Sequence, residues 1–172
     1  MRAAGVLVAL VVALALQTTI AGLTLKGATA VNLVLVAVVY VALAFGPVAG
    51  LLAGSVGGLA QDALAGGIIG IGGLTKTLVG FLVGVLGTQF IVSQPLPRFV
   101  TFVGATVVHE LVFQALYALA EARPFSMHFP PVFTQAVVNG LVGTVAFQIV
   151  ERGPELLQRR DARRSMYTRK RF

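Results

Sequence analysis

The chain contains no cysteine and no tryptophan, and only 11% of its 172 residues are charged. The lack of cysteine excludes disulfides, thiol catalysis and thiolate metal sites. A soluble domain carries roughly 25% charged residues. A chain at 11%, with 57% hydrophobic residues, reads as an integral membrane protein with short loops and no second globular domain. Acids are scarce, six against 13 Lys/Arg. The resulting +7 does not point to nucleic acid, because +5 of it lies between Glu151 and Phe172, where eight Lys/Arg meet three acids.

What is present is a series of apolar runs near the roughly 20 residues a membrane span needs. Six are readable: Ala3–Leu25, Ala30–Phe45, Val48–Leu64, Leu74–Val92, Phe99–Ala120 and Val132–Val150. The first could be taken for a signal peptide, with Arg2 ahead of it and Ala13-Leu14-Ala15 resembling a cleavage site. Its apolarity runs past that point to Leu25, longer than an h-region of roughly 7–15 residues, so it reads as a retained span. The second and third runs have almost no loop between them. They form either one broken helix or two spans joined at Gly46-Pro47. Gly153-Pro154 is expected to stop the sixth. The fold expected is all-α with six transmembrane helices, residues 1–150 forming one domain and 151–172 a basic tail.

Arg159, Arg160, Arg163, Arg164, Arg169, Lys170 and Arg171 place the tail in the cytoplasm by the positive-inside rule, and six spans return the N-terminus to the same side. The loop holding Arg98 then faces in, and the loop Glu121–Pro131 and the glycine turn at 66–73 face out. The tail could also bind anionic lipid, at about 1 kcal/mol per basic residue near the surface, or an acidic partner. The loop Glu121–Pro131 holds Phe125, Met127, His128 and Phe129, and suits an interfacial belt or a protein contact equally.

The third run carries a ladder: Gly46, Gly50, Gly54, Gly58 and then Asp62. Four residues is about one turn, so these stack on one side of a helix. Smooth glycine grooves let membrane helices approach closely. The fourth run has its own small-residue line, Gly72, Lys76, Gly80, Gly84 and Thr88. The two stripes suit packing on each other or on a neighbour. Asp62 and Lys76 lie seven residues either side of Ile69 in the intervening turn, so a hairpin would bring them to similar depth. Each opposes its own helix dipole, at roughly 0.3–1 kcal/mol, and an ion pair between them would offset that. A mouth site for a ligand or partner is the functional alternative.

His109 and Glu110 fall in the middle of the fifth run, where a charge costs about 2.5–3.5 kcal/mol on insertion scales. Thr106 and Gln114 lie one turn away and could bond Glu110, as could Gln135, Asn139 or Gln148 of the sixth run. Consecutive residues point about 100° apart on a helix, so His109 and Glu110 are not expected to face one partner. His109-Glu110-Leu111-Val112-Phe113 misses the zinc-protease pattern, since its second histidine is a phenylalanine. Asp62 sits on the third run and His109 and Glu110 on the fifth, so no catalytic set is visible, and neither cofactor nor metal is indicated.

The stretch from Gly50 to Gly70, with Gly54, Gly58, Asp62, Gly66 and Gly70 in G-x-x-x-G-x-x-x-D and G-x-x-x-G register, resembles the rod shape-determining MreD family. Gln61, where that family usually has an apolar residue, and Lys76 depart from it. The resemblance implies a non-enzymatic inner-membrane scaffold of the bacterial elongation machinery. It would bind MreC and lie near MreB, RodA and the class B penicillin-binding protein, with the glycine faces receiving partner helices. That family in turn looks like the substrate-binding S-components of energy-coupling-factor transporters, six-helix proteins of similar size, which supply the alternative. S-components meet their partner through small residues on an early helix, and Ala9-x-x-x-Ala13 has that form. An S-component needs a polar, aromatic cavity open to the outside. With no tryptophan and three tyrosines, the sequence shows little to build one.

Overall fold

The computed structural model describes residues 2–21, 31–89 and 94–169, with side chains for 4–19, 31–89 and 94–151. Six α-helices make up the described chain: α1 Arg2–Ala21, α2 Leu33–Phe45, α3 Pro47–Ala65, α4 Ile71–Gln89, α5 Pro95–Ala120 and α6 Phe129–Arg169. Four of them are long and apolar enough to cross a membrane: α3, α4, α5 and the Phe129–Glu151 part of α6. Their outward faces carry large apolar side chains such as Leu52, Val56, Leu82, Val100, Leu141 and Val145, the surface expected against lipid rather than water.

The centre is α2. At 13 residues it is about 20 Å long, well short of the roughly 30 Å hydrocarbon core. It is apolar on every side, which marks a buried helix, and Val34, Leu35, Val38, Val39, Val41 and Ala42 are all sealed from solvent. Asn32 starts it, its side chain accepting from Leu35 N–H at 3.1 Å. Gly46 ends it with φ +90°, a backbone state open to glycine, and Pro47 then opens α3 at a position where no N–H is needed. The join at Gly46-Pro47 therefore separates two helices. Leu35, Val39, Val79, Val83, Phe102 and Ala105 pack around α2 as the main core.

The two glycine stripes meet each other. Gly50 and Gly80 lie backbone to backbone, Gly54 lies against the Lys76 carbonyl, Gly58 against Gly73, and Gly84 against Pro47. A side chain at any of these positions would overlap main-chain atoms that cannot rotate away. Ser55 Oγ and Thr77 Oγ1, 2.8 Å apart, add a hydroxyl link across the seam. The groove that the sequence offered to a partner helix is thus filled by the chain's own α4. Gly46 is the exception in the first stripe: a Cβ there would meet nothing, and the residue serves the turn.

Two further expectations change. Arg98 is not on a loop but in the first turn of α5 and buried. Its guanidinium grips Glu151 of α6 bidentately at 2.7 and 2.8 Å and lies 4.1 Å over the Phe147 ring. Gly153-Pro154 does not stop α6, which continues to Arg169. A proline forfeits one helical hydrogen bond, and the polar residues beyond it have every reason to stay helical outside the membrane. Arg159, Arg160, Arg163, Arg164 and Arg169 ride on this extension, while Lys170 and Arg171, like Lys26, lie outside the described residues.

Candidate functional site

The starts of α2, α4 and α6 meet the end of α3 and the second half of α5. There they enclose a cavity of about 540 Å³, within the roughly 300–1,000 Å³ of small-molecule sites. Gln61, Asp62 and Ala65 of α3 and Lys76 of α4 form one wall. His109, Glu110, Phe113 and Gln114 of α5 form the second. Asn32, His128 and the α6 residues Pro131, Val132 and Gln135 complete it. The charged residues that the sequence distributes over two separate sites stand around one space.

Asp62 is not paired with Lys76. Its Oδ2 reaches across the glycine turn to accept the N–H groups of Gly70 at 2.9 Å and Gly73 at 3.1 Å. The carboxylate thereby caps the start of α4, where negative charge is favourable. Gly72 is needed beside it, since a Cβ there would overlap Asp62 Oδ1. Gly66 and Gly70 bend the chain back with φ +69° and +107°. The hairpin is closed by a carboxylate on backbone amides, not by an ion pair.

Lys76 is only 2% exposed. The ion pairs among the described side chains are Arg98–Glu151, His109–Glu110 and Arg123–Glu121, so no carboxylate lies within 4.0 Å of its ammonium. An unpaired buried charge is costly, and Lys76 spends what exposure it has on the cavity it lines.

His109 and Glu110, expected to diverge, turn toward each other, with His109 Nδ1 3.2 Å from Glu110 Oε1. When Nδ1–H donates to the carboxylate, the neutral ring presents Nε2 as an acceptor. That Nε2 is buried and has no hydrogen-bond partner, and the same holds for Gln61 Oε1. The imidazole stacks on Phe113 with centroids 5.8 Å apart and planes at 16°. Phe113 continues to Tyr117 at 5.6 Å. The 109-113-117 spacing lays three rings along one face of α5, of which His109 and Phe113 line the cavity.

Asn139 does not pair with His109 or Glu110. Fully buried, its Oδ1 accepts the Asn32 N–H at 2.9 Å and its Nδ2 donates to Thr106 Oγ1 at 3.1 Å. Gln17 of α1 accepts from Leu33 N–H at 2.7 Å. These bonds fix the start of α2 to α1, α5 and α6 beneath the cavity. Gln148 belongs to the far end of α6.

The described helices thus form an apolar bundle with a polar, partly aromatic cavity, and hydrogen-bonding atoms are left over in its wall. The chain belongs to the family of ECF-type riboflavin transporter S components, whose model matches residues 1–152. No curated protein and no solved structure matches it. The family match overturns the MreD resemblance, and with it the elongation scaffold and the expected partners MreC, MreB, RodA and the penicillin-binding protein. S components are substrate-binding subunits of transporters, not enzymes, and the chain is a multi-pass inner-membrane protein. The ladder that carried the resemblance encodes a tight helical hairpin, a packing device that does not name a partner.

Proposed function

We propose that this chain is the substrate-capturing subunit of an energy-coupling-factor transporter and that its substrate is riboflavin. The observation that carries the reading is the cavity: it has the volume for a vitamin, an aromatic ladder at His109 and Phe113, and buried polar groups without protein partners. It lies at the start of α6, at the other end of that helix from the basic extension. The positive-inside rule then turns the cavity outward and both termini inward, the arrangement uptake requires. The chain works as a single six-helix domain with a basic tail. Its partner is the energy-coupling module of ATPases and a transmembrane T component. Ala9-x-x-x-Ala13 does not offer that module an open small-residue face, because Ala13 is buried beside Leu10.

The reading is tested by purifying the protein in mild detergent from cells grown with riboflavin, denaturing it, and identifying the released small molecule. Riboflavin in near-stoichiometric amount is expected, together with co-purifying ATPase subunits when the module is co-expressed. Release of a different vitamin, or of none after incubation with riboflavin, overturns it.

A further inference from the structure

Two side chains in the cavity wall carry buried polar atoms with no hydrogen-bond partner among the described residues, Gln61 Oε1 and His109 Nε2, and the Lys76 ammonium beside them has no described carboxylate within 4.0 Å. Gln61 and Lys76 belong to the two arms of one glycine hairpin, α3 and α4, and their positions flank its turn nearly symmetrically. A strong donor and a lone acceptor therefore stand on the same wall. Across the space Phe113, Pro131 and Val132 supply apolar surface between the polar side chains of His109, Glu110, Gln114 and Gln135.

We propose that Lys76 and Gln61 read the pyrimidinedione edge of the flavin, an inference that rests on the riboflavin reading above. That edge presents carbonyl, N3–H and carbonyl in a row. Lys76 donates to a carbonyl, Gln61 Oε1 accepts from N3–H, and the dimethylbenzene end of the ring turns toward Phe113 and Val132. A phosphate is the other natural partner for a buried lysine, but Asp62 and Glu110 share the cavity, and a phosphate dianion would meet both carboxylates. The charge balance favours a neutral, acceptor-rich edge. Buried polar groups in such a site also penalise any ligand that leaves them unpaired.

The test is a fluorescence-quenching titration of the full chain with riboflavin, N3-methylriboflavin and flavin mononucleotide. The wild-type protein should bind N3-methylriboflavin at least about tenfold more weakly than riboflavin, the effect of a lost hydrogen bond to a buried acceptor. Gln61→Ala should shrink that penalty to about threefold or less while retaining riboflavin binding. Lys76→Met, matched in length and uncharged, should weaken riboflavin by about tenfold or more. Equal affinity of the wild type for riboflavin and its N3-methyl form, or wild-type affinity in Lys76→Met, overturns the proposal and leaves the riboflavin reading standing. Tighter binding of the mononucleotide also overturns it, by giving Lys76 to the phosphate. A wild-type protein that binds no flavin overturns both. A Lys76→Met protein that fails to fold leaves the N3-methyl comparison in the wild type to decide.

Discussion

Asp62 Oδ2 accepts the Gly73 N–H at 3.1 Å from across the α3–α4 turn, while its Oδ1 fills the space a Cβ on Gly72 would take. One carboxylate thus fastens two helices whose backbones already touch along a glycine seam, and fixes the wall from which Gln61 and Lys76 face the cavity. Asp62→Asn keeps an acceptor and should be mild. Asp62→Ala leaves the Gly70 and Gly73 amides unsatisfied and should cost about 1–3 kcal/mol. Thermal unfolding in detergent should rank wild type above Asn above Ala. An alanine variant as stable as the wild type contradicts this role.

The glycines divide by what a Cβ would meet. Gly54→Leu and Gly58→Leu drive a side chain into the backbone of Lys76 or Gly73 and should prevent a monodisperse folded protein, visible on size exclusion. Gly104→Ala, with nothing within 4 Å, should be silent or slightly stabilising, since alanine favours helix by about 1 kcal/mol over glycine. Gly57→Ala, 3.1 and 3.2 Å from side-chain tips of Leu10 and Val34, should fall between them. A folded Gly54→Leu protein would show that the seam is looser than described.

Asn139→Leu removes both the Asn32 and the Thr106 bonds at the base of the cavity. It leaves the Asn32 N–H buried without a partner, at about 1–3 kcal/mol. A lower unfolding temperature and weaker riboflavin binding should appear together. Loss of stability with unchanged affinity would separate this network from the site.

At the opposite end, Arg98→Lys should not substitute for the bidentate grip on Glu151 or the stack on Phe147, because an ammonium is not a planar fork. Glu151 is half exposed, which discounts the ion pair to about 1 kcal/mol or less. The expected outcome is a small drop in unfolding temperature with riboflavin affinity unchanged. A large loss of affinity would link the two ends of the bundle.

The helices were legible because their signals are local. Apolar runs ended by Gly46-Pro47 and by the prolines at 95 and 97 locate α2, α3 and α5 to within a few residues. Arg98 was misplaced because its partner lies 53 residues on, beyond any local pattern. Asp62 was assigned to Lys76 by symmetry about the turn, a rule blind to backbone amides that outcompete an ammonium. The cavity was hidden for a related reason. Its aromatic wall is made of His109 and Phe113 rather than tryptophan, and the residues that converge on it come from five segments. The function was misread because a glycine hairpin ending in a carboxylate is a solution to helix packing that unrelated membrane proteins can share.

The central claim, that the cavity holds riboflavin, is tested most directly by titrating purified protein with riboflavin and following quenching of flavin fluorescence, in the wild type and in Phe113→Ala. The account expects saturable binding with one site per chain, weakened by about tenfold when the stacking ring is removed. No saturable binding, or binding indifferent to Phe113, would contradict it.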